Sequence, residues 1–280
     1  MCLQLLILYF SGTGNTRFIA ERLSDALTDR NHVVELQSIE RYRPSDFEKF
    51  DMMLLGYPVY ACDMPKFLTE YLQKLPLTKP MKIITFSTLG FYGGNAARKV
   101  GKRLYSLGMI PMYSREIRMP GSDGLIFLNK DSKTVHSLQT RDFNAFPPIK
   151  KAIADIVEET EKARANQTVF VPPMKLGALL TGGLLRFLYT AIERHMKRKL
   201  WATDACTKCQ LCAQICPSGN ITVLPSAVQF GSVCFLCMRC VNQCPSEAIQ
   251  IGSATRGKFR WKGPGGNFRP AGNSIFKPLP

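Results

Sequence analysis

Eight of the ten cysteines in this 280-residue chain lie between Cys206 and Cys244, with only Cys2 and Cys62 elsewhere. They fall in two lines, Cys206-x2-Cys209-x2-Cys212-x3-Cys216-Pro217 and Cys234-x2-Cys237-x2-Cys240-x3-Cys244-Pro245, which are one repeat offset by 28 residues. A secreted disulfide scaffold is usually short and spreads its cysteines through the chain. Crowding of this kind in a long chain reads as metal binding instead. Zinc sites take four thiolates as two Cys-x2-Cys pairs and have no use for a third at the same spacing plus Cys-Pro. Thiolates spaced two apart converge on neighbouring corners of an iron–sulfur cube, while the cysteine after x3 is carried away from it.

Over about fifty residues this region resembles the bacterial two-cluster ferredoxins, in which the fourth cysteine of each run ligates the other cluster. Matched onto this chain, the resemblance assigns Cys206, Cys209, Cys212 and Cys244 to one 4Fe–4S cluster. Cys234, Cys237, Cys240 and Cys216 go to the second. A short apolar stretch follows each run, Ile221–Val223 and Ala248–Ile251, and each is expected to form a hairpin shielding a cube from water.

The remainder of the chain reads differently. Residues 3–10 are nearly all aliphatic or aromatic, which suits a parallel strand covered on both faces. Helix is expected over Thr16–Asp29, Pro65–Lys74, Asn95–Leu107 and Pro148–Ala165. Strands are expected over His32–Gln37, Met52–Gly56, Met81–Ser87 and Met109–Ile117. Alternation of this kind predicts an α/β doubly wound parallel sheet over roughly residues 1–165. Residues 166–203 read as a connecting segment, whose apolar stripe from Leu176 to Met196 at helical spacing predicts an amphipathic helix weakened by Gly182-Gly183. Residues 204–252 form a small α+β cluster domain, and 253–280 a basic tail in which Gly and Pro exclude a long regular element.

The first turn of this alternation is Ser11-Gly12-Thr13-Gly14-Asn15-Thr16, between a buried strand and a helix. Backbone N–H groups of such a turn, with the helix N-terminus, make an anion cradle, and the hydroxyls of Ser11, Thr13 and Thr16 and the Asn15 amide add donors. No lysine lies in the loop, so it is not a Walker A site, and Arg17 stands where a dinucleotide fingerprint needs its third glycine. Two further loops end strands at the same carboxyl edge, where open α/β folds bind ligands. They are the segment carrying Pro58, Val59 and Tyr60, and the segment Thr88, Leu89, Gly90, Phe91, Tyr92, Gly93 and Gly94. Tyr57, Tyr60 and Tyr92 all remain open as the partner for a planar ring.

These three loops resemble those of the flavodoxins, closely in the first and more loosely in the other two. The resemblance implies noncovalent FMN. Its phosphate would rest on Ser11, Thr13, Gly14, Asn15 and Thr16, and its isoalloxazine would lie between the Pro58–Tyr60 and Thr88–Gly94 loops. Together the two regions look like a flavodoxin–ferredoxin fusion protein. His32, His136 and His195 form no ligand pattern and read as structural, Cys62 reads as a free buried thiol, and Cys2 is expected to be buried.

The net charge of +16 is uneven. Residues 1–170 carry 23 basic and 18 acidic side chains, a net +5, whereas residues 171–280 carry 14 and 3, a net +11. The basic end favours docking of an acidic redox protein such as ferredoxin over nucleic acid, for which no motif is present. The expected function is relay of single electrons between that partner and FMN through the clusters. The alternative is an FMN-dependent reductase of a small substrate such as a quinone, an unsaturated compound or oxygen. The N-terminal segment lacks a basic n-region and no stretch reaches membrane-spanning length, so a cytoplasmic protein is expected.

Overall fold

The computed structural model describes residues 2–42, 47–165 and 168–270, with backbone only for 178–186. In chain order the elements are β1 (Gln4–Tyr9), α1 (Asn15–Thr28), β2 (Val33–Ser38), β3 (Met52–Pro58), α2 (Lys66–Gln73), β4 (Met81–Leu89), α3 (Ala96–Ser106), β5 (Met109–Arg118) and α4 (Ser122–Leu125). They continue with α5 (Lys133–Gln139), α6 (Pro147–Ala165), α7 (Gly177–Arg198), β6 (Leu200–Ala202), α8 (Leu211–Gln214), β7 (Ile221–Val223), β8 (Val228–Phe230), α9 (Arg239–Gln243) and β9 (Ile249–Ile251). Two compact units result. The first holds Met1–Ser11, Asn15–Met119 and Phe143–Arg186, and the second holds Gly12–Gly14, Pro120–Asp142 and Phe187–Pro280.

The first unit is a five-stranded sheet in the order β2-β1-β3-β4-β5, with every neighbouring pair parallel. That order is the flavodoxin-like variant of the doubly wound sheet, with its switch point between β1 and β3. The central strands are buried on both faces, which is why they read as continuous apolar runs: all of β3 is buried, as is β4 apart from Lys82. Helices close the layers with one apolar stripe each. α1 buries Ile19, Ala20, Leu23 and Leu27, and α6 buries Ile149, Ala152, Ile156 and Val157. His32 is buried, accepts the Leu3 N–H at 3.1 Å and lies 2.8 Å from Glu161, a structural tie between a strand and α6.

The second unit has a smaller core of Ile126, Leu236, Met238, Val241, Ile249 and Ile251, against which Met196, Leu200 and Phe230 pack. Ile126 comes from the segment 120–142, for which the sequence predicts no element and which belongs to this unit. It carries α4 and α5 and is sewn to the tail, where Phe259 donates its N–H to Leu128 at 3.0 Å. Phe259, Trp261 and Phe268 of the tail are buried, and the Trp261 N–H donates to Asn242 at 2.7 Å.

Several expectations need correction. Cys2 is exposed, because β1 begins two residues later. Tyr57 is fully buried at the end of β3, so it offers no surface for a planar ring. β4 runs two residues further than expected and takes Thr88 and Leu89 out of the following loop. Ile221–Val223 does form a hairpin, with β8, but Ile249–Ile251 pairs instead with β6, which precedes all eight clustered cysteines. The helix expected in the connecting segment does form: α7 continues through Gly182-Gly183, and Phe187, Leu188 and Ile192 of its apolar stripe are exposed.

Candidate functional site

In the hydroxyl-rich turn, Ser11, Thr13 and Thr16 are all buried. Gly14 sits at φ 104, which a side chain would resist. Alternation of helical and left-handed residues is what turns successive N–H groups toward one point. Thr16 Oγ1 lies 2.8 Å from Thr88 Oγ1, and that hydrogen bond ties the start of α1 to the end of β4. The next two loops are joined by continuation of the sheet ladder, with the Val59 N–H donating to the Thr88 carbonyl at 2.9 Å. Pro58 is buried, and Val59, Tyr60 and Tyr92 are half-buried. Gly93 and Gly94 are buried, and a Cβ on Gly93 would press on the Glu116 carboxylate, which would have to shift. Gly90 is exposed and Phe91 is 84% exposed, an unusual position for a large apolar ring. Phe91 therefore joins Tyr60 and Tyr92 as an accessible ring at this edge.

The segment after Tyr60 is a tight two-residue connection. Tyr60 and Asp63 exchange N–H···O bonds of 2.9 and 3.0 Å, and the central residues Ala61 and Cys62 stand at φ 49 and 57. Such turns need positive φ at both central positions, and Asn-Gly is the usual solution. Arg103 of α3 clasps the far end, with Nη1 and Nη2 at 3.1 and 3.3 Å from the two Asp63 carboxylate oxygens. The Cys62 thiol is buried beneath, 3.9 Å from the Tyr92 carbonyl.

One polar row was not foreseen. Tyr57, Ser87 and Glu116 are register partners across β3, β4 and β5. Among the described residues, the Tyr57 and Ser87 hydroxyls and Glu116 Oε1 are sealed from solvent without a hydrogen-bond partner. Thr85 Oγ1, also on β4, donates to Ser114 Oγ at 2.8 Å. Burial, reinforced by the Glu116 charge, pushes the Tyr57 phenol above its ordinary 10.0.

In the second unit the cysteines gather in two sets. Cys206, Cys209, Cys212 and Cys244 line one cavity of about 310 Å³, counting its open mouth. Cys216, Cys234, Cys237 and Cys240 line another of about 430 Å³. The last thiol of each run thus stands with the first three of the other. The 28-residue offset also runs through the backbone. Lys208 and Leu236 both have positive φ (57 and 49), as do Gln210 and Met238 (both 62) and Gly219 and Glu247 (62 and 49). Left-handed residues between the cysteines wind the chain around each cavity. The Asn220 N–H donates to Cys216 Sγ at 3.3 Å and the Ala248 N–H to Cys244 Sγ at 3.2 Å, again at equivalent positions.

Burial pushes the Cys212 thiol up to about 11 and the Cys237 thiol to about 12, in the latter against the pull of Arg239. Cys240 is driven well above its ordinary 9.0 by burial and by the neighbouring thiols. Four thiols crowded around one cavity become stable thiolates together only when a cationic group neutralises them, and an iron–sulfur cluster does so. The donor set is all sulfur, and the residues fit that group.

Residues 6–105 match the family model described as a flavodoxin domain, and residues 203–219 and 231–254 match a 4Fe-4S binding domain. An archaeal flavodoxin structure is 15% identical with a TM-score of 0.41, covering 58% of this chain and 99% of that one. Flavodoxin 2 of Bacillus cereus is 18% identical with a TM-score of 0.42, covering 57% and 99%. The two-electron-reduced flavodoxin of Megasphaera elsdenii is 25% identical with a TM-score of 0.36, covering 40% and 85%. No curated protein sequence matches the chain. The strand order and the two domain matches, rather than those superpositions, carry the conclusion: the chain has the build of a flavodoxin–ferredoxin fusion. It is an iron–sulfur flavoprotein of the electron-transfer kind, with FMN and 4Fe–4S clusters as its cofactors. Among the described residues no helix is long and apolar enough to cross a membrane.

Proposed function

We propose that this protein relays single electrons between an acidic redox protein, such as a ferredoxin, and FMN through two 4Fe–4S clusters in a cytoplasmic setting. The observation that carries the reading is the crossed partition of eight thiols between two cavities in a chain that also has a flavodoxin domain. In this reading Cys206, Cys209, Cys212 and Cys244 hold one cluster, and Cys234, Cys237, Cys240 and Cys216 hold the other. Ser11, Gly12, Thr13, Gly14, Asn15 and Thr16 hold the FMN phosphate. The isoalloxazine lies between Pro58, Val59 and Tyr60 on one side and Thr88, Leu89, Gly90, Phe91, Tyr92, Gly93 and Gly94 on the other. Bound FMN supplies exchange between two-electron and one-electron chemistry, and each cluster one electron at a time. The chain's own residues set the conditions: backbone N–H groups on Cys216 and Cys244 stabilise the more negative cluster state. The excess of 11 positive charges in residues 171–280 draws an acidic donor.

Anaerobically reconstituted protein should contain about eight irons per chain. Reduced ferredoxin should bleach its flavin at a rate that falls steeply with salt. Two zincs per chain would end the account, and a rate indifferent to ionic strength would end the docking component.

The exposure of Gly90 and Phe91 favours a second reading, in which reduced flavin acts directly on a small acceptor such as a quinone, an unsaturated compound or oxygen. Turnover of such an acceptor with ferredoxin as donor, faster than flavin-to-ferredoxin transfer, separates the two.

A further inference from the structure

The anion loop contains no cation in its own sequence, yet a buried one reaches it. In the second unit, which includes Gly12–Gly14, the Arg239 side chain is 1% exposed and its Nε–H donates to the Gly12 carbonyl at 3.2 Å. Its Nη1 donates to the Ile215 carbonyl, also at 3.2 Å. Arg239 stands between Cys237 and Cys240 in the sequence. Tail residues cover the same loop: a Cβ on Gly14 would meet Phe268 Cβ at 2.8 Å, and one on Gly263 would meet the Thr13 carbonyl at 3.1 Å.

The Gly12 carbonyl and the Thr13 N–H belong to one planar trans peptide, so they point in opposite directions. A guanidinium bonded to that oxygen fixes the plane, turns the Thr13 N–H away from Arg239 and polarises it. A donor set beforehand loses no freedom when an anion arrives.

We propose that Arg239 is a positioning residue for the phosphate loop, a buried cation rooted beside two cluster ligands that pre-sets the Thr13 N–H for the FMN phosphate. This rests on the reading of that loop as the phosphate site. It means that flavin retention depends on a side chain from the cysteine repeat, and that loosening the segment Cys237–Cys240 loosens the grip on the phosphate.

Riboflavin has the ring system and lacks the phosphate, so the ratio of the two affinities isolates the loop. FMN and riboflavin are titrated by fluorescence quenching into the full chain with iron content matched, as wild type, Arg239→Gln and Arg239→Lys. Arg239→Gln should raise the FMN Kd about 10–100-fold, the range of one charged hydrogen bond, and leave riboflavin within about twofold. Arg239→Lys, which keeps the charge and loses the fork, should fall between. Unchanged FMN affinity, or equal weakening of both ligands, would overturn the proposal. Should Arg239→Gln lose iron, the Lys variant decides by the same ratio. Loss of iron in both would mark Arg239 as a fold residue and overturn it too. A wild type that binds FMN no better than riboflavin would instead overturn the phosphate reading of the loop.

Discussion

Replacing Ala61 with glycine should stabilise the first unit. Ala61 and Cys62 occupy the centre of the two-residue connection between Tyr60 and Asp63, at φ 49 and 57. An L-residue in the left-handed region carries about 1–2 kcal/mol of steric strain. Glycine removes that strain and returns roughly 0.5–1 kcal/mol of backbone entropy to the unfolded chain. The balance is a gain of about 0.5–1 kcal/mol, since the half-buried Ala61 methyl contributes little packing. For a unit in the 150–250-residue class this is a rise of about 1–4 °C in Tm, readable by calorimetry on flavin-free protein. The Asp63 amide, bonded to Tyr60 at 3.0 Å, should exchange more slowly with solvent. Cys62→Gly is the control: it relieves the same strain but removes a buried thiol, so its gain should shrink or vanish. A lower Tm for Ala61→Gly would show that the left-handed turn is not strained and refute the reasoning.

Tyr57→Phe removes a sealed hydroxyl that has no bonding partner, so thermal unfolding should show a gain of about 1 kcal/mol, and a loss would reveal a bound water there. The folded phenol titrates above its ordinary 10.0, so its stabilising share is complete below pH 10 and declines as pH rises past it. The slope of Tm against pH above 10 should therefore be shallower in Tyr57→Phe. Thr88→Val breaks the 2.8 Å tie to Thr16 and should weaken FMN by roughly 5–10-fold in a fluorescence titration, and unchanged binding would exclude that tie from the site. Cys216→Ala, although it lies in the first run, should erase the cluster of the second, lowering iron from about eight to about four per chain. Loss of the signal from the Cys206 set instead would reverse the assignment.

The sheet was legible because two-sided burial writes itself as unbroken apolar runs, and because the hydroxyl-rich turn marks the first strand's end. The two cysteine runs stand out by their spacing, and their crossed division into sets follows from the resemblance to two-cluster ferredoxins. What spacing does not carry is backbone handedness: Lys208, Gln210, Leu236, Met238 and Glu247 all take positive φ with side chains that ordinarily avoid it. Their regularity shows only when the two runs are laid over each other in three dimensions. Arg239 was invisible for another reason. Nothing distinguishes it in sequence from 36 other basic residues, and only its burial and its bond to Gly12, 227 positions away, single it out. Residues 120–142 were missed because their helices are short and their core residue, Ile126, serves the second unit. Cys2 was misjudged by extending a buried strand one turn of the pleat too far.

The exchange of one thiol between the two runs sets an order for biosynthesis. When the first run leaves the ribosome its cavity has three thiols, and the fourth, Cys244, is still to be translated. The second cavity is complete only once residue 240 has emerged and the first only at residue 244, so iron delivery to both is a late event and a chain truncated before residue 240 holds neither. A single proteolytic nick between Cys216 and Cys234 would likewise cut the link within both sets at once, and damage to one site would be felt as damage to two.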